Sequence, residues 1–346
     1  MSVTLIAQKA GVSIATVSRV LNNSRPVSPQ IAEAVRKAAE ELNLPVRPPR
    51  KRRVSSTERP LTVAIASIGQ TYRGWFDVPV IASVVAELTR SAQELNITVQ
   101  INELTDPSEP GSLLKRTPID GMIGFINAAV THQQLATLRQ AMPIVRIMGG
   151  QLGPAEIDHV GADNNAVGYC AATHLINQGL TNLAFFTQRH HWDFIRLRAQ
   201  GFLCAAEARG IGTTMFLHTE SDIPTRFYGP DRHIDSDIDA LVTQLAKLRD
   251  RGPIGLFVPR DEETVVVYRA LASAGLEPGK DVIVQSCDNE QIRLDALHPR
   301  PDTIDLGTAE IARRALRRLS YRIKHRDDPP VRILVMPHLV AAKKPS

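Results

Sequence analysis

From Leu61 onward the chain keeps alternating short apolar runs rich in β-branched residues with longer helical stretches. LTVAIAS (Leu61 to Ser67), ITVQI (Ile97 to Ile101), IDGMIGFI (Ile119 to Ile126) and PIVRIM (Pro143 to Met148) read as strands. So do HVGAD (His159 to Asp163), LAFF (Leu183 to Phe186), TMFLH (Thr214 to His218), IGLFV (Ile254 to Val258) and DVIVQSC (Asp281 to Cys287), with VRILV (Val331 to Val335) as a last strand. Continuous apolar runs of this length suit strands covered on both faces. Helices are expected near Val80 to Leu95, His132 to Ala141, up to Gly179, up to Gly210, Ile238 to Arg249, up to Gly275, and Ala309 to Lys324. A strand that returns through a helix lies parallel to its predecessor, so the body is α/β with parallel sheets. Its length calls for two lobes rather than one core. Ligands in such sheets bind beyond the carboxyl ends of the strands.

The N-terminal stretch VTLIAQKAGVSIATVSRVLN (Val3 to Asn22) has a different pattern. It reads as two short helices and a tight turn. Ala7 is small enough for a close crossing, Gly11 supplies the turn, and Ser13 caps the second helix. Val17 and Val20 share a face with Val12 and Ile6 nearby, leaving Ile14, Ala15, Ser18 and Arg19 on the other. That is a helix-turn-helix, whose second helix enters a major groove N-terminus first. A third helix starts at the Ser28 cap with Pro29 in its first turn. Ile31, Val35, Ala38 and Leu42 form its apolar stripe, and it ends near Asn43.

Charge supports a nucleic-acid reader. Residues 1–59 hold 11 Lys+Arg against 4 Asp+Glu, or +7, and the remaining residues hold 30 against 32, or −2. The whole-chain +5 therefore comes from the first sixth of the sequence, the footprint of a small polyanion-binding segment on a near-neutral body. Residues 46–60 are basic and proline-rich, the composition of a linker. The cysteines Cys170, Cys204 and Cys287 are isolated, which argues for a reduced chain without disulfide or zinc. Neither an 18-residue apolar run nor a secretory signal is present, so a cytoplasmic protein with no membrane partner is expected. There is no GxSxG, P-loop, HExxH or GxGxxG after a strand, so no catalytic residue, metal site or cofactor is expected, and the chain reads as a non-enzyme.

GVSIATVSRVLN (Gly11 to Asn22), Val27-Ser28 and EELNLP (Glu40 to Pro45) resemble the DNA-binding headpiece of the lactose-repressor (LacI/GalR) family. IDGMI (Ile119 to Ile123), PIVRIMGG (Pro143 to Gly150), HVGADNNAVGY (His159 to Tyr169), HLINQG (His174 to Gly179), RAQGF (Arg198 to Phe202), DVIVQSCDN (Asp281 to Asn289) and MPHLV (Met336 to Val340) resemble its effector domain, similar in fold to periplasmic sugar-binding proteins. The resemblance implies an all-α helix-turn-helix headpiece over 1–45, a hinge over 46–60, and a two-lobed periplasmic-binding-protein-like domain over 61–346 that binds an effector and dimerises. It implies a transcriptional regulator, a repressor in the first reading, acting as a homodimer on a pseudo-palindromic operator and modulated by a sugar or sugar derivative.

In the headpiece, Ile14, Ala15 and Arg19 are the candidates for base edges, Arg19 by a bidentate bond to guanine. Thr4, Ser13, Thr16, Ser18 and Asn22 are candidates for the remaining DNA contacts, chiefly phosphates. The family hinge is a short helix that inserts a Leu into the minor groove, but here Pro48 and Pro49 oppose a helix and no Leu lies between Leu44 and Leu61. Arg50 and Arg52, inside the run Arg50 to Arg53, are instead expected to follow phosphates or the minor groove as an arm. For the effector, the resemblance places Arg198 and Asp288 in the pocket. Trp75 and Phe76 follow the first strand and could stack on a sugar or simply fill core. Trp192 follows the strand at Leu183, as do His190, His191 and Asp193. Arg260 stands where the family often has Asn. With Arg198 it would make the pocket cationic, so an acidic or phosphorylated effector is the alternative, as is a regulator that activates. A solute-binding protein fits the body but not the headpiece.

Overall fold

Strand β1 (Thr62–Ile68) is buried along its whole length, because it is flanked by a strand on each side and helices cover both faces of its sheet. The computed structural model describes residues 2–22, 27–42, 60–69, 78–110, 118–126, 129–150, 156–190, 192–217 and 234–342. The chain divides into two compact units, Met1–Arg59 and Pro60–Ser346.

The first unit holds α1 (Ser2–Ala10), α2 (Ile14–Asn22) and α3 (Pro29–Glu41). Ile6, Ala7, Val17, Val35, Ala38 and Ala39 form its core, with Ala10, Val12, Val20 and Leu42 packed against it. Gly11 makes the turn at φ +64°, where a side chain would be strained. Val12 N–H closes that turn by donating to Ala7 O at 3.1 Å. Ser13 Oγ accepts from Thr16 N at 3.1 Å and Ser28 Oγ from Ile31 N at 3.5 Å, so both caps sit where the sequence places them. The stripe on α3 is shorter than expected: Ile31 is 37% exposed, because the small core ends at Val35.

In the second unit, β1, β2 (Thr98–Leu104), β3 (Gly121–Ile126), β4 (Ile144–Ile147), β5 (Asp158–Ala162) and β11 (Arg332–Val335) form one parallel sheet, ordered β11-β5-β4-β3-β1-β2. Helices α4 (Pro79–Glu94), α5 (His132–Ala141) and α11 (Thr308–Lys324) pack on it. A four-stranded parallel sheet, β7 (Thr213–Leu217), β6 (Asn182–Thr187), β8 (Ile254–Phe257), β9 (Val282–Gln285), forms the other lobe. Its helices are α6 (Asn164–Asn177), α7 (Asp193–Glu207), α8 (Ile234–Leu248) and α9 (Asp261–Ser273), followed by the one-turn α10 (Gln291–Leu294).

The periodic reading does not anticipate the strands that join the lobes. β10 (Thr303–Asp305) pairs antiparallel with β12 (His338–Val340), so β11 is not the last strand. Each has three residues, too short to show a period. They carry the chain between the sheets beside the first crossover, where Asp163 caps α6 by accepting from Ala166 N at 3.0 Å.

Candidate functional site

The loops after β8 and β9 and the start of α6 converge on one guanidinium. Arg198, on α7, is 2% exposed. Its Nε donates to Asn164 Oδ1 at 3.1 Å, and its Nη1 donates to Pro259 O and to Asp288 Oδ1, the latter at 3.3 Å. Two glycines make this meeting possible. A Cβ on Gly201 would lie 1.9 Å from Asn165 O, and one on Gly168 1.8 Å from Arg198 O. Helices α6 and α7 therefore cross backbone to backbone, which brings Asn164 and Arg198 side by side. Phe194, one turn earlier, lies 5.4 Å from the Arg198 guanidinium and stacks on Trp192 at 5.3 Å. Arg260 lies 4.9 Å over the other ring system, Trp192, and donates to Glu262 at 2.6 Å.

Asp288 reaches Arg198 through a backbone that few non-glycine residues adopt. Asp288 has φ +109° and Asn289 φ +57°. Two such residues together cost of the order of a few kcal/mol and persist only where the surroundings enforce them. Asn289 Nδ2 is tied to Asp305 Oδ2 at 2.8 Å, on the strand that leads back to the first lobe.

Carboxylates surround the two guanidiniums. Asp261 is fully buried and accepts from Ser286 Oγ, from Glu290 N at 2.6 Å and from Thr303 Oγ1 at 3.3 Å. Glu263 accepts from Gln188 N at 2.8 Å and from Thr187 Oγ1 at 3.1 Å. Burial holds Asp261, Glu263, Asp288 and Glu290 above the usual carboxylate range; Arg198 opposes this at Asp288, and Arg260 at Glu263 and Asp288. Burial also pushes the Cys287 thiol up, so it is an inert core group. Both expected cations of the pocket have acidic partners. Arg198 is paired with Asp288 and Arg260 with Glu262, with three further carboxyls alongside.

Of the effector candidates, the structure brings together Arg198, Asp288, Arg260 and Trp192. Trp75, Phe76 and His191 lie outside the described residues. Asp193 belongs to the boundary between lobes, its carboxylate resting against the bare Cα of Gly150 after β4. Sequence reasoning missed Asn164, the Pro259 carbonyl, and the buried acids Asp261 and Glu263. Asn164 stands inside a recognised motif, but nothing local marks it as the partner of an Arg 34 positions on. A separate hollow of about 290 Å³ lies at the ends of β1, β2 and β3, lined by Gly69, Thr105, Asp106, Val130 and Gln134. It shares no residue with the Arg198 cluster. Among the described residues no His, Cys, Asp and Glu group could hold a metal ion, and no helix is long and apolar enough to cross a membrane.

In the first unit, Thr4 on α1 is exposed, as are Ser13, Ile14 and Ala15 at the start of α2. Ile14 is 53% exposed, an apolar group with no core to join, which suits contact with a thymine methyl. Thr16 is half-buried and its hydroxyl lies 2.9 Å from Ser13 Oγ. Ser18, Arg19 and Asn22 lie on α2, but their side chains, like all of Arg50 and Arg52, fall outside the described residues.

Residues 5–44 match the model of bacterial regulatory proteins of the lacI family, and residues 172–342 match that of the periplasmic binding protein-like domain. The HTH-type transcriptional regulator CelR of Thermobifida fusca is 26% identical over 344 residues, spanning 97% of this chain and 96% of its own. The structure of a transcriptional regulator CelR–cellobiose complex superposes with a TM-score of 0.61 at 23% identity, covering 98% of each chain. The Lac repressor dimer bound to operator and the anti-inducer ONPF superposes with a TM-score of 0.60 at 20% identity, covering 97% of this chain and 96% of the other. A lacI-type helix-turn-helix in front of a periplasmic-binding-protein-like domain makes this chain a member of the LacI family, a DNA-binding transcriptional regulator with a small-molecule effector domain.

Proposed function

We propose that the chain is a repressor whose operator affinity is set by an uncharged, hydroxyl-rich effector held at the Arg198–Asp288 pair. One observation carries this. Arg198 Nη2 and Asp288 Oδ2 make no hydrogen bond to any described residue, although the rest of both groups is fixed. A fixed donor beside a fixed acceptor suits hydroxyls, each of which gives and takes one bond. The aromatic pair Trp192 and Phe194 supplies an apolar face next to it. Arg198 is already paired with Asp288 and Arg260 with Glu262, which favours a neutral sugar over a sugar acid or phosphate. The CelR structure holds cellobiose, in keeping with this class.

Two copies would bind a pseudo-palindrome, as the Lac repressor dimer does its operator. Ile14, Ala15 and Arg19 would read bases, and Thr4, Ser13, Thr16, Ser18 and Asn22 would hold phosphates. Closure of the lobes on the effector would change how the two headpieces are spaced. The domains would run 1–45, 46–60 and 61–346. Fluorescence anisotropy on a duplex that the protein itself selects from a random library tests the reading. A neutral mono- or disaccharide should change the affinity, and Arg198→Gln should abolish the change while DNA binding persists. A response confined to sugar acids or phosphates would overturn the neutral-sugar assignment.

A further inference from the structure

We infer that the body carries a second DNA-contacting surface, a basic face on the C-terminal half of α11 that lies against phosphates flanking the operator. The inference rests on the DNA-binding reading above. Residues 308–332 hold eight Lys+Arg against three Asp+Glu, or +5. Residues 60–346 together carry −2, so the rest of the body carries −7. This helix and its following turn are therefore net positive on a body whose remainder is net negative.

Some of that charge is neutralised internally. Asp158 takes Arg318 and Arg322, both at 2.8 Å, and Glu310 takes Arg313 and Arg314, both at 2.7 Å. Arg317, Lys324 and Arg326 are exposed and make no ion pair among the described residues. The acids nearby are occupied. On α4, the neighbouring helix, Glu87 and Glu94 hold Arg90, at 2.5 Å and 3.0 Å. Asp328 accepts from the Tyr321 hydroxyl at 2.6 Å. Asp327 is exposed beside Arg326 and is the one acid left on the turn.

The position of this face argues for DNA rather than another polyanion. α11 runs against the strands and ends at their amino termini. Leu319 and Ile323 pack on Gly121, the first residue of β3, and Arg322 grips Asp158, the first residue of β5. The chain from the headpiece enters at Pro60, at the same end, just before β1. β5 and β1 are separated by β4 and β3 in the sheet, which at about 4.8 Å per strand puts the entry within roughly 15 Å of the β5 start. Lys324 and Arg326 thus stand at the end of the body where its strands begin and where its chain starts at Pro60, and Arg317 lies two turns back along the same helix.

The test is the salt dependence of binding to two duplexes with one central sequence selected by the protein from a random library. One is trimmed to about 16 base pairs, which the headpieces cover, and one extends to about 40. The triple variant Arg317→Gln, Lys324→Gln and Arg326→Gln removes exposed charge only, and its fold is checked by circular dichroism. On the long duplex the slope of log affinity against log salt should fall by two to three per chain, about 0.9 for each phosphate no longer neutralised. On the short duplex it should stay at the wild-type value. Equal slopes for variant and wild type on the long duplex would overturn the inference and leave the headpiece reading intact. So would an equal reduction on both lengths, which would mean that these charges act on the protein and not on flanking DNA. A wild-type chain that selects no sequence would remove the DNA-binding reading and this one with it.

Discussion

Replacing Arg198 with Gln tests the centre of the proposed effector site. The guanidinium bonds Asn164 Oδ1, Pro259 O and Asp288 Oδ1, and the side chains of Arg198 and Asp288 are 3% and 7% exposed. Removing one partner of a buried ion pair costs about 3–5 kcal/mol, because the survivor keeps its desolvation penalty. An unsatisfied acceptor such as Pro259 O adds about 1–3 kcal/mol. A limit applies to the sum. Asp288 is already held above the usual carboxylate range by burial, and Arg198 is the largest of the groups that oppose this. Without Arg198 the balance at Asp288 shifts further towards the neutral carboxyl, which lessens the penalty for a bare anion. The expected loss is therefore about 3–4 kcal/mol, a large share of the roughly 5–15 kcal/mol that stabilises a typical fold. The assay is urea unfolding at pH 7.5 of the wild type, Arg198→Gln, Asp288→Asn and the double variant. The double variant should lose at least about 1 kcal/mol less than the sum of the singles, since each single strands the other's partner. Strict additivity, or a loss below about 1 kcal/mol for Arg198→Gln, would refute the claim that the pair is buried and mutually dependent.

His159 is 4% exposed and its Nε2 lies 2.9 Å from Met148 O. Burial first, and then Arg146, pull its pKa from 6.5 down to about 4. The native state keeps this ring neutral, so its stabilising share is complete above pH 6.5 and drains away as the pH falls towards 4. Between pH 7.5 and 5 that share is about 2 kcal/mol, at about 1.4 kcal/mol per pH unit of linkage. His159→Gln should flatten the acid limb of a stability–pH curve by that amount, and parallel curves would contradict it. Gly201→Ala would set a methyl 1.9 Å from the Asn165 carbonyl, against backbone that cannot rotate aside. It should cost more than about 2 kcal/mol and weaken the effector response together with stability. A variant as stable as the wild type would show that α6 and α7 can part without penalty.

The sequence determined what is local. Alternating apolar runs specified the parallel sheets, since a strand such as β1 with every residue buried needs apolar side chains on both faces. The caps at Ser13 and Ser28 and the turn at Gly11 were legible because each depends on residues within a few positions. Arg198 and Asp288 were legible through the motifs around them. The three-residue strands β10 and β12 were not, because they exist by pairing with each other across the whole stretch from Asp305 to His338 rather than by a pattern of their own. The partners of Arg260 were not legible for the same reason. Arg260 stands out in the chain as an extra cation, but its setting is made by Glu262 beside it and by Asp288 and Glu290 from another loop. Tertiary structure alone decided which carboxylates face which guanidiniums, because a charge acts through space and burial, and neither can be counted along a sequence.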